Sequence, residues 1–431
     1  MFQRRRPDQR SARMTHPLSP PPRKDPQKRS VSPTRPPEVR SRAALHLTAA
    51  AAEGRFALQR CADCGKVQYP PRDACSACLS TDLPWQDMAP GGTLIAETTV
   101  QTSPRLYFRE RMPWRAGTVQ LDDGPTVLAH IHGDVARHAR VRITARLDQS
   151  GQGVLVALPE TDTPNMEDDP LMRALSADPK HRRVLITDAR SAQASALARA
   201  LQKAGAAIIF AGEPESWRPY PQRAELEALG VQILPMDVTD TASVQKLAGE
   251  IGGKTDILIN TARFLRPGGV LDRGDTGFAR DELEVNYLGL MRLAQAFGPG
   301  MCARAADGVN AAAAWVNLLS VGALSNARPF GAYSASQAGA YSLSQSLRAE
   351  FRPSGLRVMN VFFGPTEEDD WYQPLPPPRV TAYALARSVV DGLQRGLEDV
   401  WCGDIAQDLR DRFRRDPKVL EREMTLGGEG A

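Results

Sequence analysis

The hydrophobic rhythm of this 431-residue chain changes once, and that change constrains the fold more than any other feature. Before about residue 159, apolar and polar residues alternate over strand lengths, as in GGTLIAETTV, RAGTVQLDDGPTVLAHI, RVRITARLD and GVLVALPE. Alternation with period two, broken by punctuation such as DDGP at 122–125, predicts short strands with one face in a core. The pattern is that of a small five-stranded barrel. After about residue 182, wholly apolar runs such as RVLITDA, AAIIFAG, DILINTA and LRVMNVFFG alternate with amphipathic stretches of helical length. Strands apolar on both faces, each followed by a helix, predict a doubly wound α/β domain with a parallel sheet. PETDTPNMEDDP, residues 159–170, breaks both rhythms with acids and prolines, so residues 159–181 read as a linker.

A chain of this length supports two folded domains rather than one. No run approaches the roughly 18 uninterrupted apolar residues of a membrane helix, so a soluble protein is expected. Net charge is +4, but residues 1–42 hold twelve Lys or Arg against three acids, which leaves −5 for the rest. That segment is rich in proline and charge and too poor in apolar residues to offset the entropy of ordering; residues 1–42 are expected to form a disordered basic arm. The opening MFQRRRPDQR is followed by no apolar segment, which argues against a secretory signal. An Arg-rich, acid-poor start also suits an organelle transit segment, although its prolines oppose the amphipathic helix of such segments. Six cysteines, four of them in tight pairs, fit metal ligation in a reducing compartment, so the expected location is cytoplasmic.

Cys61, Cys64, Cys75 and Cys78 form CxxC, ten residues, CxxC. Two residues between sulfurs let one turn aim both thiolates at an ion, and two such turns supply a tetrahedral shell. Structural Zn²⁺ is the expected ion, with iron in a rubredoxin-like site as the alternative. Gly65 suits the tight turn after the first pair, and Leu79 takes the matching place after the second. Cys302 and Cys402 stand alone and read as ordinary residues.

Residues 43–158 resemble the acyl-CoA-associated zinc-ribbon/OB-fold family, through CADCG, CSAC, the YPPR between them and LDDGPTVLAHI. That resemblance implies a partner that bridges or completes a thiolase or a CoA-thioester lyase in acyl-CoA metabolism. One departure is His138 or Ala139 where a glycine is usual before the last barrel strands. Ribbons and OB barrels also bind nucleic acid, but residues 43–158 carry twelve basic and eleven acidic side chains, and Tyr69, Trp85, Tyr107, Phe108 and Trp114 are scattered. Nucleic-acid binding is therefore the least favoured reading. His130 and His132 share a strand face by spacing, and are expected to be solvated rather than to hold a metal.

From residue 182 to about 405 the landmarks of the short-chain dehydrogenase/reductase family occur in order. Thr187 opens a phosphate loop, Asp237 and Val238 follow the third strand, Asn260 and Ala262 sit in an NNAG-type motif, and Asn286 lies on a long helix. Ser320 stands thirteen residues before Tyr333, and GPT at 364–366 follows the sixth strand. The resemblance implies a Rossmann domain over 182–431 that forms homo-oligomers through helices around 283–298 and 333–351. It also implies that Ser320 holds a substrate oxygen, Tyr333 moves a proton and Asn286 holds a water relay.

In YSASQ, however, Gln337 stands where the family has lysine. A free phenol has a pKa of about 10 and is ionised to about one part in a thousand at pH 7. Losing the adjacent ammonium should cost on the order of 10² to 10³ in any step that needs the phenolate. The phosphate loop departs as well. The family pattern TGxxxGxG reads here TDARSAQA, with Asp188, Ala192 and Ala194 in place of three glycines. Each alanine adds a Cβ where a pyrophosphate needs bare backbone, and Asp188 adds negative charge. Ser191 or Asp188 is expected to cap the following helix, while Arg190 can pair with Asp188 or reach a phosphate. Glu213 ends the second strand and favours NAD over NADP, and Arg263 replaces the glycine of NNAG.

Three readings follow: a scaffold with a catalytically impaired dehydrogenase-like domain, an active NAD-dependent oxidoreductase acting on a CoA-linked carbonyl or hydroxyl, and a nucleic-acid binder that uses the basic arm.

Overall fold

The computed structural model describes residues 14–23, 33–215, 217–305, 311–367 and 379–426. Expectations for residues 1–13 and 24–32 of the arm lie outside these. The chain divides into two compact units, Met1–Pro20 with Thr34–Ser176, and Pro21–Pro33 with Ala177–Ala431.

In the first unit, helix α1 (Leu45–Ala52) precedes a three-stranded sheet of β1 (Ala57–Arg60), β2 (Val67–Gln68) and β3 (Trp85–Asp87), in the order β2-β1-β3. A closed barrel follows, made of β4 (Gly91–Val100), β5 (Trp114–Leu121), β6 (Thr126–Ile131), β7 (Arg140–Leu147) and β8 (Gly153–Pro159). The one-turn helix α2 (Leu106–Arg109) lies between β4 and β5. Its closure β4-β5-β6-β8-β7, with β6 parallel to β8, is the expected OB barrel. The alternation read from sequence places Val119, Leu121, Val127, Ala129, Ile131, Val141 and Ile143 in its core. Gly117 is required there: a Cβ would stand 2.4 Å from the Ala96 carbonyl oxygen, beside the bulge between Leu94 and Ala96. His138 adopts φ +57°, the left-handed conformation that explains why a glycine is usual at this turn.

Three expectations are corrected in this unit. Part of the presumed linker is folded: a 3₁₀ turn (Met166–Asp168) and helix α3 (Pro170–Leu175) bring Met166, Met172 and Leu175 onto Val156 and Leu158 of β8. Those apolar β8 side chains need a cover, and the Asp169 carboxylate starts the covering helix by accepting from the Leu171 amide at 2.8 Å. The same cover buries His132 completely, so it is not a solvated residue; its Nε2 meets the Met166 carbonyl at 2.9 Å and its Nδ1 accepts from the Asp134 amide at 3.1 Å. The described parts of the arm are extended but not free. Asp134 accepts from the Thr15 amide and hydroxyl at 2.7 and 2.6 Å, and Asp168 accepts from the Leu18 amide at 3.0 Å. Both carboxylates are buried, and the arm satisfies them.

The second unit is a seven-stranded parallel sheet in the order β11-β10-β9-β12-β13-β14-β15. Its elements are β9 (Arg183–Ile186), α4 (Ala194–Lys203), β10 (Ile208–Glu213), α5 (Gln222–Ala228), β11 (Gln232–Pro235), α6 (Thr241–Ile251) and β12 (Ile257–Asn260). Then come α7 (Gly277–Leu283), α8 (Gly289–Ala303), β13 (Ala314–Ser320), α9 (Gly331–Phe351), β14 (Arg357–Phe363) and α10 (Ala382–Arg395). β15 (Asp399–Cys402), α11 (Asp404–Arg415) and α12 (Pro417–Leu426) complete it. One face of the sheet packs against α4 and α10 through Leu197, Leu201, Leu385 and Val389. The other packs against α6, α8 and α9 through Val244, Leu293, Phe297 and Leu347. Strand order reverses between β9 and β12, which opens the crevice where such sheets bind ligands. Among the described residues no helix is long and apolar enough to cross a membrane.

Candidate metal centre and crevice

The four cysteines of the ribbon converge on one point, with all Sγ atoms within 4.8 Å of one another. The two turns are built alike. Gly65 donates to the Cys61 carbonyl at 2.9 Å with φ +71°, and Leu79 donates to the Cys75 carbonyl at 3.1 Å with φ +62°. Backbone amides of Ala77 and Cys78 pull the Cys75 thiol down to about 6. Cys78, although the Ser80 amide favours its thiolate, is pushed up to about 12 by the sulfurs of Cys61 and Cys64. Four thiols packed this closely cannot all ionise without a cation, and a tetrahedral dication fits the donor set. The shell is closed, so such an ion would serve folding rather than chemistry.

In the second unit the sheet and helices bring together the four residues placed in a catalytic group by sequence. Tyr333 and Gln337 lie one turn apart on α9, Ser320 ends β13, and Asn286 sits in a π-helical turn (Glu284–Leu288) between α7 and α8. Gln337 Oε1 accepts a hydrogen bond from the Ser320 amide at 2.9 Å, and both residues are buried. The Ser320 hydroxyl accepts from the Gly322 amide at 3.1 Å. Asn286 accepts from the Phe264 amide at 2.9 Å and donates to the Phe264 carbonyl at 2.8 Å and to the Ser336 hydroxyl at 2.9 Å. Its side chain therefore pins the loop after β12. Ser336 donates onward to the Tyr333 carbonyl at 2.7 Å. Sequence reasoning missed Ser336, although its place three residues after Tyr333 put it on the same helix face. Tyr333 is buried and packs among Leu265, Ala327 and Phe330.

At the phosphate loop, the Thr187 hydroxyl donates to Asn260 Oδ1 at 3.0 Å and accepts from the amides of Thr261 and Ala262 at 2.9 and 3.3 Å. It ties the ends of β9 and β12. Asp188 accepts from the Arg190 amide at 2.9 Å, and the Ser191 hydroxyl accepts from the Gln193 amide at 3.3 Å. Both acceptors are spent on local turns, so neither caps α4 as expected, and that helix has no side-chain cap. Burial, helped by the charge of Asp237, pushes the Asp188 carboxyl above its ordinary value against the pull of Arg190. Ala194 is fully buried and Ala192 half-buried, while Val238 belongs to the core and Asp237 holds its own turn through Thr239.

The acid that would hold a ribose is already engaged. Glu213 is 3% exposed and paired with Arg223. Beside it, burial and then the Glu213 charge push the Tyr220 phenol up to about 12. Arg190 pairs with Glu215 at 2.9 Å rather than with the Asp188 carboxylate. The Arg263 guanidinium carbon lies 5.7 Å from the centre of the Phe363 ring, which ends β14, so this side chain reaches across the end of β13 where Ser320 stands. The Cβ atoms at 192 and 194, the carboxyl at 188 and the engaged Glu213 thus stand where the family pattern has bare backbone and a ribose-binding acid.

Residues 48–84 match the family model described as ChsH2, rubredoxin-like zinc ribbon domain, and residues 85–147 match that of ChsH2, C-terminal OB-fold domain. Residues 189–394 match the model described as enoyl-(acyl carrier protein) reductase. Among curated proteins, the short-chain dehydrogenase ptmH of Penicillium ochrochloron is 32% identical over 193 residues, 43% of this chain and 66% of that protein. The short-chain dehydrogenase PC-15 of Penicillium crustosum is 34% identical over 138 residues, 31% of this chain and 47% of that one. The chain thus spans about two thirds and about half of these relatives. A solved short-chain dehydrogenase from Burkholderia cenocepacia J2315, in complex with NADP, is 27% identical with a TM-score of 0.50, covering 56% of this chain and 97% of that one. The chain is a fusion of a zinc ribbon and OB fold of the ChsH2 type with a domain of the short-chain dehydrogenase/reductase family.

Proposed function

We propose that this protein is a binding and scaffold partner of a thiolase or a CoA-thioester lyase, and that its dehydrogenase-like domain no longer transfers hydride efficiently. One observation carries the reading: Gln337 Oε1 accepts from the Ser320 amide at 2.9 Å. An ammonium only donates, so the lysine position has been given over to holding the end of β13. The engaged Glu213 and the alanines of the phosphate loop support the same conclusion. The ribbon holds structural zinc, its cysteines form no disulfide and suit a reducing compartment such as the cytoplasm, and the α8 and α9 segments supply a homo-oligomer contact.

Calorimetric titration with NAD and NADP, a turnover assay on 3-oxoacyl- and 3-hydroxyacyl-CoA, and capture of partners from the native cell test this together. Weak or absent dinucleotide binding, with a thiolase or lyase recovered, is the expected result. Tight binding with turnover at ordinary enzyme rates overturns it.

That second outcome belongs to the rival reading, an active NAD-dependent oxidoreductase with Tyr333 as proton donor. Gln193 Nε2, Ser195 Oγ and Ser334 Oγ are buried with no hydrogen-bond partner among the described residues, and a bound polar ligand would satisfy them. The NADP bound to the Burkholderia relative points the same way.

A further inference from the structure

In OB barrels the ligand face is formed by the second and third strands with the loops joining strands one and two and strands four and five. Here these are β5, β6, residues 101–113 and residues 148–152. The chain's own arm contacts both loops. Thr34 donates to Glu110 and accepts from Arg111 Nη1 at 3.1 Å. Arg111 is held for that contact: it stacks over the Tyr107 ring at 4.0 Å and donates to the Tyr107 carbonyl at 2.9 Å. On the other loop, the Ser150 hydroxyl donates to the Pro36 carbonyl at 2.8 Å. Ser150 is wholly buried, and Asp148 fixes its amide at 2.8 Å. Arg40 then lies 3.5 Å from Asp148. Burial first, and the Arg40 charge second, hold His130 of β6 down to about 4, so the arm's charge is felt on the strand face too. His130 Nδ1 accepts from Trp114 Nε1 at 2.9 Å, and the ring of Phe108 stands 5.4 Å from that of Trp114.

The occupant has a definite chemistry. Residues 33–42 read PTRPPEVRSR, and Ser41 has φ −66° and ψ 153°, close to polyproline II. A proline-rich extended segment makes no backbone ladder of its own: here Arg40 holds the Pro37 and Val39 carbonyls at 2.8 and 3.2 Å, the Pro36 carbonyl is left for Ser150, and little ordering entropy is lost when such a segment docks.

We propose that the ligand face of this barrel reads proline-rich extended peptides, and that residues Thr34–Arg40 occupy it in cis and keep it closed to such segments in trans. The proposal stands apart from the reading of the dehydrogenase-like domain.

The full chain tests it in three forms: wild type, Thr34→Ala with Arg40→Ala, and that double variant with Ser150→Ala added. The probe is a fluorescein-labelled synthetic peptide of residues 33–42, followed by anisotropy. A tethered competitor acts at an effective concentration near the millimolar range, so the double variant should bind the probe roughly tenfold or more tighter than wild type. Adding Ser150→Ala should reverse most of that gain. Endoproteinase Glu-C should cut after Glu38, which all three forms keep, faster in the double variant, which shows arm release whatever the peptide affinity. Bound metal per chain, equal in all three forms, shows that the ribbon and barrel are folded. Equal affinity for wild type and double variant overturns the proposal, as does binding insensitive to Ser150→Ala. Preference of the double variant for a single-stranded oligonucleotide over the peptide also overturns it.

Discussion

Gln337 and Ser320 are joined by a side-chain to backbone hydrogen bond of 2.9 Å that a lysine at 337 cannot make. Gln337→Lys is therefore not a restoration. It leaves the buried Ser320 amide without its acceptor and places an ammonium in a site where glutamine is 3% exposed. A loss of about 1–3 kcal/mol is expected from the unsatisfied amide alone. Chemical denaturation should show that loss, with no rise in NADH-dependent reduction of a 3-oxoacyl-CoA. A gain of two orders of magnitude in activity would show that the glutamine merely blocks a competent site.

Arg223→Ala should be felt inside the second unit, because Glu213 is buried and Arg223 is its ion-pair partner. The loss should be smaller than for a fully buried pair, because the Arg223 side chain is 39% exposed and solvent screens its charge. Arg223→Lys should recover part of the loss. The midpoint of urea unfolding reads both.

Asp188 gives a pH signature. Its folded pKa is raised above the ordinary 3.8, chiefly by burial, so the native state binds more protons than the unfolded state between those two values. Stability contributed by this group is present below 3.8 and is lost as pH rises through the folded pKa. Asp188→Asn keeps an acceptor for the Arg190 amide and carries no charge. It should be more stable than wild type at neutral pH, and the difference should shrink as pH falls, in denaturation curves taken across the acidic range. A variant less stable at neutral pH would show that the carboxylate has a favourable partner.

Metal removal should unfold the ribbon while the parallel-sheet unit stays folded, since the four sulfurs and the core they organise lie in the first unit. Cys75→Ser should abolish stoichiometric zinc, measured by elemental analysis, and expose the ribbon strands to hydrogen exchange. Retention of one zinc per chain in that variant would remove Cys75 from the ligand set.

Ala338 lies on the exposed side of α9. If α9 supplies the homo-oligomer contact, Ala338→Arg places a charge in a close helix–helix seam and should lower the mass seen by light scattering to that of one chain. An unchanged oligomer would move the contact elsewhere.

Local order determined much of this protein. Period-two alternation, apolar strands followed by helices, the CxxC pairs and the spacing from Thr187 through Ser320 to Tyr333 are properties of neighbouring residues, and each is legible because helices and strands repeat over a few positions. The uses to which those residues are put were decided only in three dimensions. Gln337 meets an amide seventeen residues away on another element, and Thr34 and Pro36 meet loops far along the chain. His132 lost its solvent to a segment whose acids and prolines concealed a short helix. A hydrogen bond is set by which backbone the topology brings within about 3 Å, and no periodicity along the chain carries that distance.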